Sequence, residues 1–207
     1  MNDVFSPSGV SVSELKTNSV VYVTPPVEYQ KYLHSGFSTP SGKLEFYSQT
    51  FAEHGYNPLP VYSEPAESPV SQPEVAKNFP LIATTGRYVN VYTHSSHRNI
   101  SRLRAMAPEP YVRVNPLDAK QLGISDGETV TVESLRGKIT LKCKISYEFR
   151  PGVVGIDFGW GNPWDGEANC NKLTDFYMRD SITLSPANRD FLCRIYKGTV
   201  PKSSSRG

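Results

Sequence analysis

Residues 115–134 read NPLDAKQLGISDGETVTVES, and this stretch decides the fold class. Asn115, followed by a proline, predicts the start of a short helix, because an Asn side chain caps free N–H groups and proline suits the first helical turn. Gly123 predicts where the helix ends, since a left-handed residue commonly terminates a helix. After the turn SDGE, Val130 and Val132 alternate with threonines, which is typical of a strand.

Short apolar segments separated by turns continue on both sides of this stretch. LRGK at 135–138 is a tight connection, and apolar residues recur at every second position through 139–145, which predicts a hairpin. The runs FPLIA (79–83), VVGIDFGW (153–160) and DFLCRIYK (190–197) predict three further strands. Short strands with few short helices predict a mainly β chain that forms a closed barrel rather than a layered α/β sheet.

The sequence divides into four predicted segments. The first is irregular apart from KLEFYS (43–48), which alternates like a strand and ends on a serine suited to capping a short helix. The second contains five prolines, which predicts an extended linker wrapped over a surface. The segments are a partial N-terminal segment at 1–56, the proline-rich linker at 57–78, the barrel at 79–197 and a disordered tail at 198–207.

Composition narrows the class of protein. The 207 residues include 15 glycines and 17 prolines, and 38% of them are hydrophobic, which favours a turn-rich β chain. A net charge of +2 disfavours nucleic acid as a partner, because nucleic-acid-binding proteins usually carry a strong basic excess. The sequence has no run of roughly 18 apolar residues, so we expect no direct membrane insertion.

The cysteines and the N-terminus bear on the compartment. Cys143, Cys170 and Cys193 are an odd, sparse set, which favours a reducing compartment over a disulfide scaffold. The first residues lack the basic start and apolar core of a signal peptide. If the chain is complete, this predicts a cytoplasmic protein, whereas a longer parent could be exported. Localisation is therefore left open.

TTGRYVNVYTHSSH at 84–97 is the first candidate site. Gly86 would let the backbone approach a ligand closely, and Arg87 offers a planar fork of donors that suits phosphate or a pterin carbonyl. His94, Ser95 and Ser96 precede a helical pattern whose free N–H groups suit an anion, and Arg98, Arg102 and Arg104 add positive charge nearby. Taken alone, however, the stretch is better explained as an ordinary loop with a solvated basic face.

Asn169, Cys170 and Asn171, with Asn162, form the second candidate site, in a long polar loop flanked by Trp160 and Trp164. Carboxamides pair a donor with an acceptor and can read the edge of a heterocycle. The alternative is that the asparagines only form turns and that the tryptophans pack at the end of the barrel.

Neither candidate site supplies a catalytic set or a metal-ligating set. His94 and His97 have no local carboxylate or cysteine to complete a metal site, and Ser95 beside His94 is no evidence of a nucleophile and its base. We therefore predict no catalytic residue and no metal ligand in this chain.

The order of the motifs is more specific than any one of them. FSTPSGKLEFYS, FPLIATTGR, YTHSSHRN, VRVNPLDAKQLGISDGETVTVESLRGKI, FRPGVV with GWGNP, and NCNKLTD follow one another along the chain. Over about residues 35–197, this order resembles the C-terminal part of the molybdopterin-dinucleotide oxidoreductases, the family that includes dimethyl sulfoxide reductase and formate dehydrogenases. The resemblance implies a six-stranded double-psi β-barrel at 79–197 that closes over molybdopterin guanine dinucleotide carrying molybdenum or tungsten.

The same resemblance assigns cofactor contacts residue by residue. It places a first contact turn early in the barrel, a second contact segment after it, a pterin-binding amide and a further contact near the last strand. These are, in order, Thr84, Thr85, Gly86 and Arg87; His94, Ser95 and Ser96; Asn171; and Asn188.

The chain also departs from the family pattern. The parent enzymes are several times longer, and their metal-ligating residue lies upstream, so the chain should contribute cofactor contacts but not be catalytically competent alone. The cofactor would be bound jointly with the missing domains or a catalytic subunit, which are the expected partners. The alternative is a cofactor-free double-psi barrel acting as a protein-interaction module, in which TTGR and HSSH would be plain loops.

Overall fold

The computed structural model describes residues 2–22, 28–86, 88–161 and 166–198. The chain divides into two compact units, Met1–Tyr62 and Ser63–Gly207. The α-helices are α1 Asn2–Phe5, α2 Val12–Thr17, α3 Tyr32–Ser35, α4 Gln49–Glu53, α5 Pro73–Ala76, α6 Ser101–Met106 and α7 Pro116–Leu122. Single 3₁₀ turns span Ser6–Ser8, Gly166–Ala168 and Cys170–Lys172.

The first unit consists of short helices and turns with little core. Among its described residues only Val10 is buried. The predicted helix cap at Ser48 is confirmed, since the Phe51 N–H donates to the Ser48 hydroxyl at 3.2 Å. The predicted strand at 43–48 is wrong, because these residues form bends and Phe46 is 81% exposed. A strand needs a neighbour for its backbone groups and its apolar face, and the described part of this unit contains no strand.

The second unit contains a closed barrel of six strands. They are β1 Leu81–Gly86, β2 Tyr111–Val114, β3 Thr129–Glu133, β4 Lys138–Ile145, β5 Val153–Asp157 and β6 Phe191–Lys197. Around the barrel the order is β1-β5-β2-β4-β3-β6. The β1–β5 and β2–β4 pairs are parallel and the others are antiparallel. The mainly β, closed architecture predicted from the sequence is confirmed.

Alternating apolar side chains fill the barrel. Ile139, Leu141 and Cys143 of β4 are buried while Thr140 and Lys142 between them are not, which is the period-two pattern of a strand with one solvated face. Cys143 and Cys193 both lie in the core, as predicted. None of the helices in the described ranges has the length and apolar character needed to cross a membrane.

The stretch 115–134 folds as predicted. The Asn115 side chain accepts a hydrogen bond from the Leu117 N–H at 3.0 Å, and Gly123 ends α7 in the left-handed conformation with φ of 67°. Within α7, Asp118 accepts from the Gly152 N–H at 2.8 Å, which ties the helix to the turn before β5. The short helix is thus joined to the start of a strand whose far end reaches the candidate site.

The residues that precede the barrel are more structured than their prolines predict. Residues 63–78, here called the strap, belong to the same compact unit as the barrel. Glu67 and Ser68 are 2% and 4% exposed, and α5 lies within the strap. Residues 57–78 are predicted to be a linker, yet residues 63–78 pack as part of the barrel unit. Of the predicted tail, only Gly198 is among the described residues.

Candidate functional site

A cleft of about 940 Å³ lies beside the barrel ends of β1 and β5. It is lined by Thr85 and by residues of the segments 94–95, 158–161, 167–172 and 188–189. The lining is rich in hydroxyl, imidazole and carboxamide groups, so the cleft suits a polar ligand of considerable size.

Five of the predicted contact residues meet in this cleft, namely Thr85, His94, Ser95, Asn171 and Asn188. They come from four separate parts of the chain. Two of them are joined directly, because the Thr85 hydroxyl donates to the Asn188 main-chain oxygen at 2.7 Å. The fold thus gathers residues that no local sequence pattern could bring together.

Three other predicted residues, Thr84, Gly86 and Ser96, lie outside the lining of this cleft. Gly86 faces a small cavity of about 10 Å³ that adjoins the cleft at His94. The Thr84 main-chain oxygen accepts from the Tyr88 hydroxyl at 3.4 Å, and Ser96 is exposed in a turn in which its N–H donates to Thr93. Neither Thr84 nor Ser96 is among the described residues that line the cleft. Arg87, Asn162 and Trp164 are outside the described residues.

Gly159 allows two of the lining segments to touch. A Cβ on Gly159 would lie 2.5 Å from the His94 main-chain oxygen, closer than real contacts allow, and its φ of +84° is also left-handed. The His94 ring meets the Phe158 ring edge to face, with centroids 4.9 Å apart. A glycine is therefore required where the GWG segment crosses the His94–Ser95 backbone.

Arg98 is a buried cation in the wall behind His94, and only 3% of it is exposed. Its guanidinium carbon lies 3.7 Å from the centroid of the Trp160 ring and 4.2 Å from that of Tyr92. Its Nη2 donates to the His94 main-chain oxygen at 3.4 Å, while Nε and Nη1 have no hydrogen-bond partner in the described structure. Burial lowers the pKa of Arg98, yet an arginine remains charged at neutral pH. The solvated basic face considered for this segment therefore does not describe Arg98.

Two further cationic residues were missed by the sequence analysis. Arg189 and Lys172 line the cleft beside the predicted Asn188 and Asn171. Lys172 lies 3.9 Å from Glu167 across the same wall. Each directly follows a predicted contact residue in the sequence, and this position was the only feature that could have identified it.

Cys170 lines the cleft but is unsuited to nucleophilic chemistry. It is 5% exposed, and burial raises the pKa of its thiol, so the thiolate is scarce at neutral pH. In the described ranges, no three His, Cys, Asp or Glu side chains are grouped so as to hold a metal ion. The cleft is thus lined by neutral polar groups together with the charged side chains of Lys172, Arg189 and Glu167.

Comparison with protein families gives a match over residues 81–191 to the molydopterin dinucleotide binding domain. The chain belongs to this family. The match covers the barrel from β1 to the start of β6 and includes every segment that lines the cleft. The family resemblance predicted from the order of the sequence motifs is confirmed.

Three relatives illustrate the relationship. Dopamine dehydroxylase of Eggerthella lenta is 33% identical over 81% of this chain and 18% of its own length. Acetylene hydratase of Syntrophotalea acetylenica is 33% identical over 89% of this chain and 25% of its own length. Dimethyl sulfoxide reductase of Escherichia coli is 34% identical over 61% of this chain and 16% of its own length. This chain therefore spans a quarter or less of the length of each of these three relatives.

A solved structure agrees with these sequence matches. Acetylene hydratase from Pelobacter acetylenicus superposes with a TM-score of 0.75 and 30% identity over 93% of this chain and 28% of that chain. The fold is the six-stranded double-psi β-barrel that the resemblance implied. This chain thus contains a molybdopterin-dinucleotide-binding domain of the kind found in oxidoreductases of the dimethyl sulfoxide reductase family.

Proposed function

We propose that the cleft binds molybdopterin guanine dinucleotide carrying molybdenum or tungsten, as the C-terminal part of a larger oxidoreductase. The convergence of Thr85, His94, Ser95, Asn171 and Asn188 on one cleft within the family domain carries the proposal. The remaining domains or a catalytic subunit would complete the site from the other side.

The residues present fit such a group. A pterin dinucleotide combines phosphates with heterocycles rich in donors and acceptors. The buried charge of Arg98 and the exposed Arg189 favour the anionic part, since a charge in a low-dielectric wall acts strongly on a neighbouring ligand. The carboxamide of Asn171 offers the paired donor and acceptor that a heterocycle edge requires. The close crossing at Gly159 keeps the His94–Ser95 backbone at the cleft surface.

The chain's own residues bind and orient rather than react. When bound, the cofactor supplies the metal and dithiolene that carry redox chemistry. Ser95 and His94 hold the group in place and Asn171 reads the pterin edge. Thr84, Gly86, Arg87 and Ser96 are proposed as further contacts, as the family resemblance assigns them. No residue is assigned as catalytic or as a metal ligand, so the chain alone should not turn over substrate.

Titration of the full chain with metal-free molybdopterin guanine dinucleotide tests this proposal. We expect saturable binding that Asn171→Ala weakens about tenfold, as expected for the loss of hydrogen bonds to a heterocycle. Asn78→Ala, which removes an exposed carboxamide in the strap, is the matched control and should bind normally. Absence of saturable binding, or equal affinities for both variants, would contradict the assignment and favour the protein-interaction module.

A further inference from the structure

A charge pair outside the cleft connects the strap to the barrel. Arg136, in the β3–β4 turn, meets Glu67 in a bidentate arrangement with N–O distances of 2.6 Å and 3.0 Å. Glu67 Oε1 also accepts from the N–H of Leu192, near the start of β6, at 2.8 Å. One carboxylate therefore joins the strap, a hairpin turn and the last strand.

The same arginine holds the segment that carries Asn171. Arg136 Nε donates to the Leu173 main-chain oxygen at 2.8 Å, and the Ser134 hydroxyl donates to that oxygen at the same distance. A Cβ on Gly137 would lie 2.6 Å from the Lys172 main-chain oxygen, so the two backbones are in direct contact. The β3–β4 turn thus holds residues 172–173 by hydrogen bonds and by direct backbone contact.

Asn171 lies two residues before this anchor. Leu173 is fully buried, and the Asn171 N–H donates to the Asn169 side chain at 3.1 Å. The backbone between Leu173 and Asn171 is therefore held in one conformation. On the other side, the Leu192 N–H that Glu67 accepts lies a few residues after Asn188, which is bound to Thr85. The segments that carry Asn171 and Asn188 are therefore both connected by hydrogen bonds to the Glu67–Arg136 ion pair.

We infer that Glu67 and Arg136 are positioning residues, which set the orientation of Asn171 and Asn188 and so make cofactor affinity depend on the strap. The inference rests on the proposed function of the cleft. A bidentate pair fixes angle as well as distance, and Glu67 is 2% exposed, so water cannot replace the partner that its carboxylate would lose. Asp175 stands 4.0 Å from Arg136, so an Arg136 released from Glu67 would turn toward this carboxylate and draw the loop with it.

Amide hydrogen exchange of the cofactor-free full chain is the first test. Arg136→Met should raise exchange in residues 169–175 about tenfold, because local opening there no longer has to break the hydrogen bond from Arg136 to Leu173. Residues 93–97, which take no part in the hydrogen bonds of Arg136, should not change. Glu74→Gln is the matched control, since it removes a strap carboxylate whose pair with Lys77 is exposed. Unchanged exchange at 169–175 would overturn the inference.

A double-mutant cycle on cofactor affinity is the second test. Asn171→Ala should weaken binding about tenfold in the native background but less than about threefold beside Arg136→Met, because the amide is already misplaced. Arg136→Lys, which keeps the charge without the fork, should restore part of the affinity. Additive effects would show that Arg136 acts on overall stability alone and would overturn positioning.

Two outcomes keep this inference separable from the proposed function. If Asn171→Ala has no effect on cofactor binding in the native background, the proposed function of the cleft fails, and hydrogen exchange alone decides whether Arg136 positions the loop. If Arg136→Met does not fold, Glu67→Gln takes its place, because glutamine keeps an oxygen for the Leu192 N–H while removing the charge that Arg136 meets.

Discussion

Arg113 and Asp157 form a buried ion pair in which Nη1 and Oδ1 are 2.5 Å apart and the two side chains are 4% and 2% exposed. Asp157 also accepts from the Tyr111 N–H at 3.0 Å. The pair joins β2 to the end of β5, immediately before the Phe158–Gly159 segment that lines the cleft. Burial raises the pKa of Asp157, and the charge and hydrogen bonds of Arg113 oppose that change.

Asp157→Asn should therefore lower the free energy of unfolding by about 3 kcal/mol, because it leaves the Arg113 charge buried beside a neutral amide. Urea denaturation measures the loss. Glu74→Gln, which removes a surface pair, should leave the unfolding midpoint almost unchanged. Equal midpoints for the two variants would mean that Glu148, 3.1 Å from Arg113 Nε, suffices to balance the charge.

Alkaline pH should weaken the fold through Cys143. Burial raises the pKa of this thiol from 9.0 to about 11, so between these values the unfolded chain loses a proton that the folded chain keeps. The free energy of unfolding therefore falls as pH rises from about 9 to about 11. Tyrosines and lysines titrate in the same range, so the test compares the native chain with Cys143→Ala. The variant should show a shallower decline, and identical slopes would refute the assignment.

Gly159→Ala should disturb both stability and binding. The added Cβ meets the His94 main-chain oxygen in a left-handed backbone, and we expect a loss of about 1–3 kcal/mol in unfolding free energy and weaker cofactor binding. Gly152→Ala is the control, because Gly152 has a φ of +83° with nothing within 4 Å of the added atom. That control isolates the backbone strain. Normal cofactor affinity in Gly159→Ala would show that the crossing does not shape the cleft.

Arg98→Met should separate binding from stability. Two of the guanidinium nitrogens have no hydrogen-bond partner in the described structure, so replacing the buried charge by an apolar side chain should change the unfolding free energy by less than about 1 kcal/mol. Cofactor affinity should fall several-fold, because the positive charge behind His94 is lost.

Arg102→Met, on the exposed side of α6, is the matched control for Arg98 and should retain affinity. Trp160 fluorescence should change only in Arg98→Met, since the guanidinium lies 3.7 Å from that ring centroid. A fall in affinity of equal size in both variants would mean that general positive charge, rather than this buried group, attracts the cofactor.

Local chemistry made much of the barrel predictable. The cap at Asn115, the left-handed Gly123 and the period-two strands depend on neighbours in sequence, and each was found where expected. The alternation at 43–48 failed for the converse reason, since the pattern was present and the neighbouring strand was not.

The features that could not be predicted from the sequence depend on contacts between residues far apart in the chain. The burial of Glu67 depends on Arg136 and Leu192, which lie 69 and 125 residues away. The closeness of Thr85 to Asn188 depends on a contact across 103 residues. The candidate site could be proposed only because the order of several motifs resembles a known family, whereas Arg189 and the role of Gly159 required the folded backbone.

The pairing of β1 with β6 sets an order of events in synthesis. The barrel closes only when Leu81–Gly86 meets Phe191–Lys197, so the first strand must wait unpaired on that side until the last has left the ribosome. Such non-local pairing folds slowly, because a long loop must close before its contacts form. The Thr85–Asn188 wall therefore forms only after the last strand has been synthesised, and a ligand that uses this wall binds after that point.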